Sequence, residues 1–499
     1  MNAAAELDAR ARRRGWTARP AFYEGDLVWT HGEVHDLAAR AATLLAGRGV
    51  QAGDRVLLAL PDGISWVVAF LAAARLGATA VLANPALTAD EHDFMAEDAK
   101  VTLCVSGPGL EDRFAGRDRL AGEALLASAR ETSPATRSEP ADRHTPLYIQ
   151  YTSGTTGRPK GVVHRHGDPE TYHDLVGERV LGIGPDDVAL SVSKLFFAYG
   201  FGNAFAFPLF SGSAAVLVGA RPTPSLVGEL VDRHRVTVLY SVPSAYAALM
   251  DQVGPDARKA FGSVRAAVAA GERMPWGLGE RLAGLFGAPV LEQIGSTEVG
   301  HAFCANGVAH NMPGTVGPAV PGYEVELRDR DGEPLPDGTE GELWVRGPTV
   351  THTYLNLPPA GGPAAADGWL ATRDLAYRTP AGTFIHLGRT DDMEMVGGIT
   401  LSPLEVEEVL HGHPAVREVA VAALTDPRGA TALHAFVVPA SIATVDGAPD
   451  ARAIESDLIA LARQRLAPFK VPRSVRLVSG LPRTPTGKLR RHLVRRGSW

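Results

Sequence analysis

Tyr151-Thr152-Ser153-Gly154-Thr155-Thr156-Gly157-Arg158-Pro159-Lys160-Gly161-Val162 is the stretch from which the rest of the chain can be read. Its glycines let backbone N–H groups approach an anion and turn into conformations that other residues avoid. Ser and Thr add donors, and Lys160 adds a mobile point charge. That is the make-up of a phosphate cradle, although composition alone also allows a surface turn. The spacing G-x-x-G-x-x-K, with no Ser or Thr after the lysine, is not that of a Walker A loop.

Working outward, 499 residues exceed one simple core and suggest about three structural units fused into fewer domains. Hydrophobic content of 45%, charged content of 21% and a net charge of −7 fit a globular protein and give no reason to expect nucleic acid or an anionic membrane as partner. Cys104 and Cys304 lie in no metal-binding spacing and read as buried reduced thiols, which fits a cytoplasmic protein. Arg10, Arg12, Arg13 and Arg14 follow acidic Glu6 and Asp8 and precede no apolar stretch, so they are not a secretory signal. Ile64 to Ala83 approaches the length of a membrane span, but Arg75 and Gly77 interrupt it. A buried helix followed by a core strand is expected there, and no membrane span. Six of the 49 basic residues are lysines, so arginine is the default cation. A lysine inside a glycine-rich motif therefore stands out, because a compact ammonium can slip between reacting groups where a guanidinium cannot.

Short β-prone runs at Arg55 to Leu60, Ala80 to Asn84 and Val101 to Val105 alternate with helical patterns at Thr30 to Gly47 and Ala89 to Asp98. Further βαβ material follows at Val188 to Ser191, Ala214 to Val218, Ser225 to His234 and Val236 to Val242. The alternation predicts an α/β fold with a largely parallel sheet. Ala127 to Pro146 is rich in Ser, Thr, Pro, Arg and Glu and reads as an exposed connection. Gly341 to Gly347 alternates like a half-buried strand. After Gly388-Arg389-Thr390-Asp391-Asp392 the chain restarts, with Ser402-Pro403-Leu404-Glu405 predicting a helix with a capping box and Pro at its first position. Strands at Val416 to Leu424 and Leu433 to Pro439 and a helix at Ala451 to Leu466 complete this part. The expected division is a large domain of βαβ subdomains, 1–389, and a small α+β domain, 390–499.

Three more groupings carry chemistry. Ile294-Gly295-Ser296-Thr297-Glu298 offers a carboxylate beside hydroxyls, suited to Mg²⁺ with a nucleotide and equally to a helix start. Thr372-Arg373-Asp374 and Arg389 supply a carboxylate and a cation fifteen residues apart. Pro482-Arg483-Thr484-Pro485-Thr486-Gly487-Lys488-Leu489 places a lysine near the C-terminus. In this order the four groups resemble the motifs of the acyl-adenylate-forming enzymes: acyl-CoA synthetases, adenylation domains and luciferases. The resemblance covers almost the whole chain.

It implies an ATP- and Mg²⁺-dependent enzyme whose small domain is mobile. Thr152, Ser153, Gly154, Thr155, Thr156, Gly157 and Lys160 would hold the phosphates. Gly271, Glu272, Ile294, Gly295, Ser296, Asp374 and Arg389 would hold the nucleoside, and Glu298 the metal. Thr297, Glu298 and Lys488 would be catalytic, with Lys488 bridging the substrate carboxylate and the α-phosphate. Asp391 would be the hinge, and Val396, Gly397 and Gly398 would line a thiol tunnel. Two departures stand out: Ile294 replaces the usual aromatic, and Arg373 replaces a glycine, which costs energy if the turn needs positive φ. Met395 stands where many relatives carry lysine.

Lys194-Leu195-Phe196-Phe197-Ala198-Tyr199-Gly200-Phe201-Gly202-Asn203, with His301, is similar to the benzoate-CoA ligase type of aryl-CoA ligase. An aromatic wall opposite bare glycine backbone makes a flat slot for a ring. Ala198, Tyr199, Gly295 and His301 are the candidate ring contacts, although the aromatics could be core and His301 a satisfied core histidine. The resemblance implies activation of benzoate or a substituted benzoate and transfer to coenzyme A by a monomer or homodimer. Loading of a carrier protein is the second reading, and a non-catalytic nucleotide-binding regulator a distant third.

Overall fold

The computed structural model describes residues 2–110, 112–114, 116–135, 137–152, 159–253, 258–275, 277–351, 353–357, 367–390, 392–396, 399–425, 431–440, 451–483 and 489–497. By contacts between residues the chain divides into two units. The first comprises Met1–Glu272, Gly279–Glu326 and Trp344–Thr372, and the second Arg273–Leu278, Leu327–Leu343 and Arg373–Trp499.

Two sheets organise the first unit. One runs in the order Ala302–Ala305, Val290–Gly295, Ala266–Ala270, Val238–Ser241, Val188–Ser191, Ala214–Val216, Pro20–Glu24 and Leu27–Thr30. The other runs Arg119–Ala121, Leu103–Ser106, Arg55–Ala59, Thr79–Leu82, Pro146–Thr152 and Lys160–Arg165. Interior pairings are parallel, and antiparallel pairs occur only at edges, as the βαβ alternation predicts. The helix Ile64–Arg75 is buried along nearly its whole length, which accounts for its membrane-like hydropathy. Its Trp66 and Phe70 pack with Tyr148, Phe201 and Phe205 in one aromatic core. Among the described residues no helix is long and apolar enough to cross a membrane. Cys104 and Cys304 are both buried.

The helices start where side chains supply the missing acceptors. Thr30 and Thr88 each accept through Oγ1 from the backbone N–H three residues on and donate their own backbone N–H to the carboxylates of Glu33 and Glu91. These two capping boxes set the helices His31–Gly47 and Ala89–Asp98. The connection expected over Ala127 to Pro146 is partly helical, because the helix Gly122–Glu131 buries Leu125 and Ala129 and so extends past Ala127.

In the second unit the strand Thr431–Pro439 pairs antiparallel with Val416–Thr425 and parallel with Ser474–Leu477. The helices Pro403–His411 and Ala451–Arg465 cover this sheet through Val406, Leu410, Leu458 and Ala462. Residues 374–378 of the strand Leu370–Arg378 pair antiparallel with Phe384–Arg389. The capping box expected at Ser402 does not form. Ser402 Oγ donates to the Leu387 carbonyl at 3.0 Å, and Glu405 pairs with Lys470. A hydroxyl offered a tertiary acceptor is drawn off the helix end, while Pro403 still opens the helix as predicted.

Candidate active site

The phosphate-cradle stretch begins at the end of one strand and ends at the start of its antiparallel neighbour: Thr152 closes Pro146–Thr152, and Lys160 opens Lys160–Arg165 directly opposite. Ser153, Gly154, Thr155, Thr156 and Gly157 lie outside the described residues, as do Asp391, Gly397, Gly398 and Lys488.

Ser296, Thr297 and Glu298 turn out of the strand Val290–Gly295, where a bulge falls between Ile294 and Gly295. Gly295 is required by close approach, because a Cβ there would sit 2.4 Å from the His301 carbonyl oxygen. The turn closes on itself, with the Gly300 N–H donating to Ser296 and Thr297 carbonyls and the Val299 N–H to Ser296 Oγ. It is also held from outside. His164 Nε2 lies 2.7 Å from the Thr297 carbonyl oxygen, and His164 Nδ1 lies 3.2 Å from Asp168 Oδ2. The Thr351 N–H donates to the Glu298 carbonyl at 2.8 Å. Tyr354 Oη donates to Glu298 Oε1 at 3.0 Å, and Lys160 Nζ stands 5.0 Å from the centroid of the Tyr354 ring. Burial and the adjoining Glu298 carboxylate hold the Tyr354 phenol well above its usual pKa, so it remains a donor. Mg²⁺ takes one or two hard carboxylate oxygens together with phosphate and water, and the half-buried Glu298 carboxylate fits that requirement.

Gly271 sits in the left-handed region at φ 89° just after the strand Ala266–Ala270. Glu272 accepts from the Ser244 N–H at 2.9 Å and from Ser244 Oγ at 3.1 Å, at the start of the helix Pro243–Gln252. Ile294 is buried.

Ala198 opens the short helix Ala198–Phe201, which continues into a π-turn, Gly202–Ala206, of a kind frequent at functional sites. Tyr199 Oη donates to the Val268 carbonyl at 3.2 Å, and its ring lies 5.8 Å from the His301 ring. Phe201 belongs to the core and Phe196 is buried, so the aromatic run splits between wall and core. His301 Nε2 lies 3.1 Å from Asn203 Oδ1, while His301 Nδ1 and Asn203 Nδ2 are buried without a partner. Burial pushes the His301 pKa down to about 3, so the ring is neutral. His301 is therefore only half satisfied, and its free ring nitrogen is available to a polar group.

In the second unit Asp374 and Arg389 face each other across antiparallel strands, with Arg389 Nη1 3.8 Å from Asp374 Oδ1. His386 Nε2 lies 3.1 Å from the same oxygen. Arg373 stands at φ 66°, so the turn keeps the glycine conformation without the glycine. Its N–H donates to Glu342 Oε1 at 3.0 Å. Val396 ends the strand Glu394–Val396 and pairs with Ile399. Arg483 and Leu489, which flank the segment containing Lys488, form an antiparallel bridge.

His164, Tyr354 and His386 escape a reading by sequence, whereas Asn203 closes the aromatic run quoted above without a role of its own. Each of those three acts through a partner 12 to 133 residues away, and none stands in a glycine-rich motif.

The chain belongs to the AMP-binding enzyme family, whose profile matches residues 7–355, with the AMP-binding enzyme C-terminal domain matching 405–488. It is 41% identical, over 100% of this chain and 69% of the relative, to p-hydroxybenzoic acid–AMP ligase FadD22 of Mycobacterium tuberculosis. To benzoate–CoA ligase of Thauera aromatica it is 35% identical, over 99% of this chain and 95% of the relative. Among solved structures, a benzoate CoA ligase from Burkholderia xenovorans superposes with a TM-score of 0.90 at 34% identity, covering 99% of this chain and 100% of that one. The anthranilate CoA ligase AuaEII in complex with anthranoyl-AMP gives 0.91 at 29% identity, covering 100% and 97%.

Proposed function

We propose that this protein activates an aryl carboxylic acid, benzoate or a ring-substituted benzoate, as its adenylate and passes the acyl group to the thiol of coenzyme A. The observation that carries the substrate class is the Tyr199–Asn203–His301 grouping, in a chain of which 99–100% aligns with enzymes named for aryl acids.

A carboxylate is a poor acyl donor. Its oxygen attacks the α-phosphorus of ATP, the bond to the β-phosphate oxygen breaks, and pyrophosphate departs. Thiolate sulfur then attacks the acyl carbon and AMP leaves, the thiol proton passing to solvent. Thr152 to Gly157 and Lys160 would hold the β- and γ-phosphates and stabilise charge gathering on the leaving pyrophosphate. Glu298, with Thr297 beside it, would hold Mg²⁺, which neutralises phosphate charge when bound. Asp374, oriented by His386 and Arg389, would bind the ribose hydroxyls, and Gly271, Glu272, Ile294, Gly295 and Ser296 would line the nucleoside. Lys488 would bridge carboxylate and α-phosphate. Rotation about Asp391 would withdraw it and bring Val396 to Gly398 against the thiol, a hinge-type change. Ala198, Tyr199, Gly295 and His301 would line the ring slot. Two buried cysteines in no metal-binding spacing fit a cytoplasmic setting.

Transfer to a carrier protein is the second reading. It is favoured by the higher identity to the enzyme named as an AMP ligase and by Met395 in place of lysine. AMP release measured over benzoate, hydroxy- and aminobenzoates, cinnamates and fatty acids, with and without CoA, separates the two. CoA-dependent turnover of benzoates is expected, and AMP release that ignores CoA but needs a carrier protein would overturn it. Lys488→Ala that leaves adenylation intact would refute the assigned chemistry for any acid.

A further inference from the structure

Tyr354 touches both Lys160 and Glu298, and no motif announces it. It lies on a segment that runs back along the strand Lys160–Arg165: Tyr354 bridges Val162, and the Leu355 N–H donates to the Gly161 carbonyl at 2.7 Å. The approach is close enough that a Cβ on Gly161 would meet Leu355 Cβ at 3.0 Å. Asn356, at φ 57°, locks the far end by donating from Nδ2 to the Asp98 carbonyl at 2.6 Å. At the near end the Thr351 N–H holds the Glu298 carbonyl. The ring of Tyr354 thus has its backbone fixed on both sides. Its hydroxyl is directed at Glu298 Oε1 at 3.0 Å, and its face carries the Lys160 ammonium at 5.0 Å.

An ammonium and a carboxylate brought to one place tend to pair, and a Lys160–Glu298 ion pair would cancel both the cation needed by the phosphates and the ligand needed by the metal. No such pair forms between these two described residues; the phenol stands between them, a donor to one and a π-face to the other. We propose that Tyr354 is a positioning residue that keeps Glu298 and Lys160 apart and aimed, so that the metal ligand and the phosphate cation are set before MgATP arrives. This rests on the reading of Glu298 and Lys160 given above and extends it to a residue that touches neither nucleotide nor acid.

The test is ATP binding to the full chain by calorimetry, with Mg²⁺ and again in EDTA, for wild type, Tyr354→Phe, Glu298→Gln and the double variant. Thermal unfolding of each confirms the fold, and Tyr354→Phe removes a single oxygen while keeping the ring. Tyr354→Phe is expected to weaken MgATP five- to tenfold and to leave metal-free ATP within twofold. In the Glu298→Gln background the same change is expected to have no further effect. Equal weakening with and without metal, no weakening, or an undiminished effect in Glu298→Gln would overturn the proposal. Bound Mn²⁺, counted by electron paramagnetic resonance in the presence of ATP, should fall in parallel with MgATP affinity. No aryl acid enters these measurements. A wrong substrate class shows separately, as absence of acid-dependent AMP release.

Discussion

Replacing Gly202 by Ala probes the aryl slot without touching any residue assigned to the nucleotide. A Cβ at Gly202 would lie 2.3 Å from His301 Cδ2 and 2.8 Å from Nε2. Ordinary carbon contacts need about 3.5 Å, so the imidazole must move by about 1 Å or the π-turn must open. The ring has little room, with Phe207 at 4.8 Å, Tyr199 at 5.8 Å and Tyr172 stacked at 6.0 Å between centroids. Overpacking of this kind costs about 1–3 kcal/mol. Losing the 3.1 Å bond to Asn203 strands further buried polar groups, at about 1–3 kcal/mol. The better helix propensity of Ala returns up to about 1 kcal/mol. A net loss of roughly 1–5 kcal/mol is expected in urea unfolding. Displacement of the ring into the slot should raise KM for the aryl acid at least tenfold, equivalent to about 1.4 kcal/mol, with KM for ATP within twofold. Acid-dependent AMP release at varied acid and at varied ATP measures both. A parallel rise in the two KM values, or none in either, would remove His301 and Gly202 from the slot.

Stability should fall as pH drops from about 6.5 toward 4, the window between unfolded and folded values of the buried histidines. Burial pushes His31 and His166 down to about 4 and His301 to about 3, and lowers His35 as well. The unfolded chain binds the protons first, at up to about 1.4 kcal/mol per histidine per pH unit. Asp62, raised to about 6 by burial, works the other way as pH falls from 6 to 3.8 and offsets one of them. Urea midpoints that stay flat from pH 7 to 4.5 would contradict this balance. Gly284 lies exposed inside the helix Leu278–Phe286, and a Cβ there would meet nothing within 4 Å, so Gly284→Ala should stabilise by about 0.5–1 kcal/mol in the same assay. Asp374→Asn should weaken nucleotide binding at least tenfold by calorimetry, because the carboxylate proposed to accept from the ribose hydroxyls, and held by His386 and Arg389, is lost; unchanged affinity would argue against a ribose contact.

Much of the fold was legible because its determinants are local. Apolar runs at strand spacing, the Thr-x-x-Glu helix starts and Pro403 act over a few residues, and the parallel interior of both sheets follows from strands alternating with helices. The motifs around Lys160, Glu298 and Asp374 pointed to the family that the chain belongs to, because residue types at short spacing can be read without the fold. Reading failed where a side chain had a choice of partner. Ser402 has the chemistry of an N-cap, yet its hydroxyl donates to Leu387 because packing brings that carbonyl within 3.0 Å. The Ser, Thr and Pro content after Ala127 hid the last turn of a helix held by buried Leu125 and Ala129.

By itself the sequence determined the family: a glycine-rich loop with one lysine in an arginine-rich chain, a carboxylate beside hydroxyls after a strand-end glycine, and a second lysine near the C-terminus. Tertiary structure alone decided how those groups are aimed. Tyr354 is 56 residues from Glu298, His164 133 from Thr297 and Asn203 98 from His301, and hydrogen bonds over such separations exist only after the sheets have assembled. A hydroxyl, an imidazole or an amide can donate or accept, so its role is set by whichever buried group folding leaves beside it.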